Sequence, residues 1–321
     1  MRPNFHQSGC TLLETLLVVA VLGVVILGSF SLSTSQNQGQ RFDDSSDRLR
    51  QLKESTIGRV EAQYEADQLL TGFVPDLGRL PNNIRELLSQ GDLPTWTYDE
   101  TADQWSGWRG PYLTRFDYQS GLPIFTDGWG YLGDTNNFGW RFEVDHSLGT
   151  LLVQSYGADG TSGGSGYDLD YPTNAYLVTT PDAFVDLANW RISVSITNPA
   201  GGGGSALPAE DATVRVRLYY PQDGALDWPE TWPPSSLERD ESPYISLAQL
   251  IESGSVADGE SELIEFDFGA DTKRVPIGIR TLGLVSDDDG AVFGNTTQAT
   301  GRVTLLSRVK APTTSLAWNL E

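Results

Sequence analysis

The chain has 321 residues, enough for two folded domains at roughly 100–200 residues each. Acidic residues outnumber basic ones 43 to 21, and the formal net charge of -22 repels nucleic-acid phosphates and anionic lipid headgroups while favouring cations. A lone cysteine, Cys10, excludes an intramolecular disulfide, and two histidines, His6 and His146, argue against a Cys/His zinc site or a Cys-His nucleophile. Serine-hydrolase chemistry would have to run through His146, in Glu143-Val144-Asp145-His146, which reads instead as an exposed strand end. No enzyme is expected.

In chain order, a short polar leader comes first, followed by Gly9-Cys10-Thr11-Leu12-Leu13-Glu14 and an almost wholly apolar stretch from Leu16 to Phe30. The 21 residues from Leu12 to Leu32 match what a helix needs to cross a bilayer core of ~30 Å. An ordinary secretory signal places its apolar region before the cleavage site, whereas here the apolar run follows the polar leader. Glu14 stands out, because an acid inside a spanning segment costs roughly 2.5–3.5 kcal/mol and normally has a partner. Neither Lys nor Arg occurs between Glu14 and Gln40. Cleavage after Gly9 would create an α-amino group at Cys10, able to neutralise the Glu14 carboxylate of a neighbouring copy. A Glu14 that snorkels to a membrane surface is the alternative.

The segment Gly9-Cys10-Thr11-Leu12-Leu13-Glu14, with the apolar run after it, resembles the N-terminus of type IV prepilins and type II secretion pseudopilins. The resemblance implies cleavage by a prepilin peptidase after Gly9, N-methylation of Cys10 and a role for Glu14 in subunit assembly. It further implies a single transmembrane helix at about 12–32 and a single-pass location in the bacterial inner membrane. The globular part would then lie in the periplasm or on an extracellular filament. Partners implied are copies of the chain or related pilins, the prepilin peptidase and an inner-membrane assembly platform. Cys10 departs from the family's usual phenylalanine.

From Asp43 to Tyr64 the sequence reads as a continuing helix, with Leu49, Leu52, Ile57, Val60 and Tyr64 on one face and Gly58 as a mild flaw. The cluster Asp43-Asp44-Ser45-Ser46-Asp47 is a solvated stretch or a kink. Three later pieces resemble the major pseudopilin: Gly78-Arg79-Leu80-Pro81, Gly107-Trp108-Arg109-Gly110-Pro111-Tyr112-Leu113, and Thr126-Asp127-Gly128-Trp129-Gly130-Tyr131. The last carries Gly128 where the family has proline. Glycine and proline at these places set tight turns, and the tryptophans are expected to cover a small sheet.

The stretch Ser155-Tyr156-Gly157-Ala158-Asp159-Gly160 through Gly163-Gly164-Ser165-Gly166-Tyr167-Asp168-Leu169-Asp170 is the best site candidate. Calcium takes six to eight oxygens from carboxylates and backbone carbonyls, and glycines let a loop wrap it. A phosphate-cradling loop would need a Gly-Lys-Ser/Thr ending, which is missing. A flexible Gly/Asp turn without a metal is the alternative. The pseudopilin resemblance implies a calcium loop with Asp159 and Asp168 as side-chain ligands, Asp170 as a further one, and carbonyls near Ser155 and Tyr156.

After Asn174 the pattern alternates with period two: Trp190, Ile192, Val194, Ile196; Val214, Val216, Leu218; Ile264, Phe266, Phe268; with further strands near 275–284 and 303–309. Turn-rich separators include Asn198-Pro199-Ala200 and the glycines at 201–204. Asp287-Asp288-Asp289-Gly290 reads as a solvated turn, with cation binding as the alternative. Trp228 and Trp232 sit in a proline-rich loop that packs on the sheet or anchors a partner. The expected fold class is α+β, with a long membrane-spanning helix packed on a small pilin-like antiparallel sheet, followed by a β-sandwich-like domain. The expected boundaries are a leader at 1–9, the helix at 10–66, a pseudopilin-like domain at 67–172 and the β domain at 173–321. The expected function is a structural subunit of a pilus-like filament or secretion pseudopilus. A pilin-anchored adhesin or substrate-binding module is the alternative.

Overall fold

The computed structural model describes residues 12–59, 71–99, 104–173, 175–198, 212–221, 244–251, 256–270, 274–286, 299–305 and 314–319. The leader, Gly9, Cys10, Val60, Tyr64, the glycines at 201–204, the Trp228/Trp232 loop and Asp287–Gly290 lie outside the described residues.

The N-terminal sequence forms one continuous helix, α1 (Leu12–Ile57), of 46 residues. It passes unbroken through the acidic cluster, where Asp47 pairs with Arg50 on the next turn at 3.0 Å. Gly58 stops it. This residue has φ 82, and its N–H caps the Glu54 carbonyl at 2.8 Å, a left-handed position that suits glycine just past a helix end. The second half of α1 buries Leu49, Leu52 and Ile57 against a core that includes Phe73 and Leu77 of α2 (Phe73–Leu77) and Leu87 of α3 (Arg85–Leu88). Ser55 donates to the Tyr112 carbonyl at 3.1 Å, and Lys53 reaches the buried Asp182 at 3.2 Å.

Two expectations are corrected. Among the described residues no helix is long and apolar enough to cross a membrane. This overturns the membrane-spanning reading of 12–32, and with it the single transmembrane helix and the single-pass inner-membrane placement.

The second correction concerns the fold class. In place of one small pilin-like sheet, the residues after α3 form separate two-stranded ladders. These are β1 (Thr97–Asp99) with β2 (Gln104–Ser106), β3 (Asp117–Gln119) with β4 (Leu122–Ile124), and β5 (Arg141–Asp145) with β6 (Thr150–Gln154). These strands are three to five residues long and are separated by glycine- and proline-rich turns. Trp108 donates its indole N–H to the Glu86 carbonyl at 2.8 Å, and Trp129 lies against the Tyr167 ring at 6.3 Å.

Beyond the short helix α4 (Thr180–Ala183), β7 (Phe184–Asp186) pairs with β12 (Arg274–Pro276). One four-stranded sheet has the order β10 (Tyr244–Ile251), β9 (Ala212–Tyr219), β13 (Gly278–Ser286), β14 (Ala299–Leu305). One three-stranded sheet has the order β11 (Ser261–Asp267), β8 (Arg191–Thr197), β15 (Thr314–Asn319). The β8–β15 pairing is parallel, while the others are antiparallel. Ile192, Val194 and Ile196 point into the core with Val214, Val216, Leu218, Ile264 and Phe266, as period-two alternation requires.

Candidate functional site

The loop at 155–170 is closed at its base by a two-way main-chain bridge. Ser155 N donates to Tyr171 O at 2.8 Å, and Tyr171 N returns to Ser155 O at 3.0 Å. Across the loop, Ala158 N donates to Tyr167 O at 2.7 Å and Asp170 N to Gly163 O at 3.1 Å. Gly164 has φ +83, and a Cβ there would fall 2.3 Å from the Asp168 carbonyl oxygen, so only glycine permits this wrap.

The predicted ligands divide by role. Asp170 is buried; its Oδ1 accepts from Gly163 N at 3.1 Å and its Oδ2 from the Ser162 hydroxyl at 3.2 Å. It braces the loop from inside. Asp159 is exposed, and its carboxylate accepts from Thr161 N at 3.0 Å. Asp168 is exposed on a 3-10 turn at 166–168. Tyr156 is half-buried, and Ser155 is buried with its hydroxyl committed elsewhere. Among the described residues no group of three His, Cys, Asp or Glu side chains converges to hold a metal. A hard cation here would therefore draw on main-chain carbonyls with Asp159 and Asp168, and Asp170 would act as brace rather than ligand.

Sequence reasoning took Asp127 for part of a turn, but the structure makes it the pivot of the site. The Ser155 hydroxyl donates to Asp127 Oδ2 at 2.5 Å, while Asp127 Oδ1 accepts from Trp129 N and Gly130 N at 3.0 and 2.9 Å. Burial pushes the Asp127 carboxyl above the ordinary range, and these hydrogen bonds oppose the shift. The same turn is fastened to α1: Gly128 N donates to the Ser45 hydroxyl at 3.0 Å, and Arg48 donates to Thr126 O at 2.9 Å. Phe42 packs on Tyr171 and Tyr167, with ring centroids at 4.7 and 6.3 Å. The loop and the Asp127 turn thus grip α1 around residues 42–48, in the C-terminal third of the helix. The sequence signal available was a short Asp-Gly-x-Gly turn, which gives no hint of a partner 28 residues ahead.

The remaining candidates are scattered. Glu14 is exposed in the first turn of α1, far along the helix from the loop. His146 Nε2 lies 2.7 Å from Asn82 Oδ1, and burial depresses its pKa. The adjacent Ser147 hydroxyl donates to Asp145 at 2.6 Å rather than to the imidazole, so no Ser-His couple is assembled there.

A buried polar knot lies apart from the loop. Arg109 grips Asp76 with two hydrogen bonds at 2.9 and 3.1 Å and stacks over Trp96 at 4.6 Å. Burial pushes Asp76 up to about 6, with Arg109 opposing the shift. No protein-family model, curated protein or solved structure matches this chain.

Proposed function

We propose that the chain is a structural subunit of a pilus-like filament, assembled through α1 after processing at Gly9-Cys10. One observation carries this reading: the two halves of the same helix have opposite surroundings. From Leu49 to Ile57 the apolar side chains are sealed in the core. From Leu13 to Val25 they are exposed, Leu13 at 79 % and Val24 at 71 %. Exposed positions 16 to 19 are consecutive, so at about 100° per residue they cover every face of the helix. An apolar surface of that extent marks an interface, and one that runs all round a helix suits a bundle of like helices better than a single groove. Glu14 adds an acid to this surface, and the mature Cys10 α-amine of a neighbouring copy is its natural counter-charge.

Leu17→Asp combined with Val21→Asp is expected to cut recovery of sheared filaments from the native host more than tenfold. Each buried Leu or Val contributes about 1.5–3 kcal/mol. Both sites are exposed in the single chain, so its melting temperature should not move. Filament recovery equal to the unmodified protein would defeat the proposal, as would a mature chain whose mass still includes residues 1–9.

The loop at 155–170 serves this reading as a cation-dependent clamp on the helix, with calcium as the ion. At a hundredfold excess over Kd, binding adds about 2.7 kcal/mol, which for a chain of this size raises Tm by roughly 4 °C. Chelation should remove that increment, and Asp159→Ala should remove the response to chelator. An unmodified protein that melts identically with calcium and with chelator has no such site.

A further inference from the structure

Between α3, the β3–β4 hairpin and residues 132–138 lies a groove of about 390 Å³, within the size range of small-molecule sites. Leu122, Pro123, Ile124, Leu132 and Phe138 give it an apolar lining, and Arg85 stands among them. The walls are joined by direct bonds: Arg85 N donates to Asn136 O at 3.0 Å, and Ile84 N to Asn137 Oδ1 at 3.3 Å. Close by, the Phe125 and Trp140 rings stack, and the Trp140 indole donates to Phe125 O at 2.9 Å. The groove is therefore preformed rather than a gap between loose loops.

Its charges are unequal. Asp134 also lines the groove, but its Oδ1 accepts from the amides of Asn136 and Asn137, both at 2.7 Å. Arg85 is exposed, and among the described residues no carboxylate pairs with its guanidinium. In a chain of net charge -22 an arginine left without a carboxylate, beside an apolar surface, is a vacant place for an anion. The positive φ of Ser120 belongs to the two-residue β3–β4 turn it forms with Gly121 at φ 82, but Phe138, which also lines the groove, has φ 53 as well. A bulky aromatic residue rarely adopts that conformation, and strain of this kind, about 1–3 kcal/mol per residue, clusters at ligand sites.

We propose that this groove binds a small amphipathic monocarboxylate, its apolar body on Leu122, Ile124 and Phe138 and its carboxylate on Arg85. Calorimetric titration of the full chain with octanoate, hydrocinnamate and 1-octanol tests the assignment. Saturable binding of the acids at millimolar concentration or below is expected, with the alcohol weaker. Arg85→Ala should weaken octanoate at least tenfold and leave octanol unchanged, while Leu122→Asp should weaken both at least tenfold. Both side chains are exposed, so an unchanged melting temperature confirms that the variants fold.

A short acetylated peptide ending in leucine separates two sources of the same chemistry. Tighter binding than octanoate assigns the groove to a polypeptide C-terminus, and weaker binding assigns it to a free acid. The proposal is overturned if neither acid binds, if Arg85→Ala binds octanoate as the parent does, or if the amidated peptide binds as well as the free one.

Discussion

Replacing Arg280 by Met is expected to destabilise the chain by about 3 kcal/mol. Arg280 is fully buried on β13, and its guanidinium donates to four carbonyls: Pro276 at 3.0 Å, Pro75 at 3.2 Å, Ile279 at 3.0 Å, and Ile277. Burial draws its pKa down to about 9, with Asp76 opposing, so it remains charged at neutral pH. Pro75 belongs to α2, 205 residues earlier, and the bond to it ties the N-terminal core to the C-terminal sheets. Methionine fills the space but leaves those carbonyls without a donor, each a loss of about 1–3 kcal/mol before relaxation.

A pH signature accompanies that loss. Asp76 has a folded pKa near 6 against an ordinary 3.8. The folded protein therefore holds this proton more tightly than the unfolded chain does. The stability it contributes is present below about pH 4 and lost as pH rises through 6. Without the field of Arg280 the Asp76 carboxyl moves up further, and this window extends to higher pH. Urea midpoints measured from pH 4 to 8 would show both effects. A Met variant with the parent's midpoint and pH profile would mean that the buried guanidinium ties nothing together.

Gly128→Ala is expected to be as damaging, at about 3 kcal/mol. A Cβ at this position would sit 2.0 Å from the Arg41 carbonyl oxygen and 3.0 Å from Asp44 Cβ. Arg41 O is helix backbone and cannot give way cheaply, so the turn must lift off α1. Lifting breaks the Gly128 N–H bond to Ser45, whose hydroxyl is already anchored on Arg41 O at 3.0 Å. It also loosens Asp127, and through it Ser155 at the base of the loop. The resemblance to pseudopilins puts proline in this place. Here proline would supply neither the space nor the N–H, so the departure has a direct physical cause. Thermal melting of the Ala variant checks this, and an unchanged midpoint would show that turn and helix do not depend on each other.

Periodic features of the fold were legible. The helical spacing of Leu49, Leu52 and Ile57 marks the face that α1 buries, and alternation through Ile192, Val194 and Ile196 marks the inward side of β8. Both signals arise within one element, where each side chain's direction follows from its position alone. What could not be read lies between elements. Ser45 meets Gly128 across 83 residues, Ser155 meets Asp127 across 28, and Arg280 meets Pro75 across 205. None of these contacts leaves a period or a spacing in the sequence. The membrane-spanning reading of 12–32 is overturned because among the described residues no helix is long and apolar enough to cross a membrane. Gly58 was read as a weak point inside a helix, whereas its position marks the end.

The uninterrupted course of α1 through its acidic cluster makes it a rigid spindle rather than a jointed arm. In any array built on its exposed half, a slip of one residue against a neighbour would advance the globular part by only about 1.5 Å but turn it by about 100°. The outward heading of everything downstream of Ile57 is therefore set by register among side chains some tens of residues away.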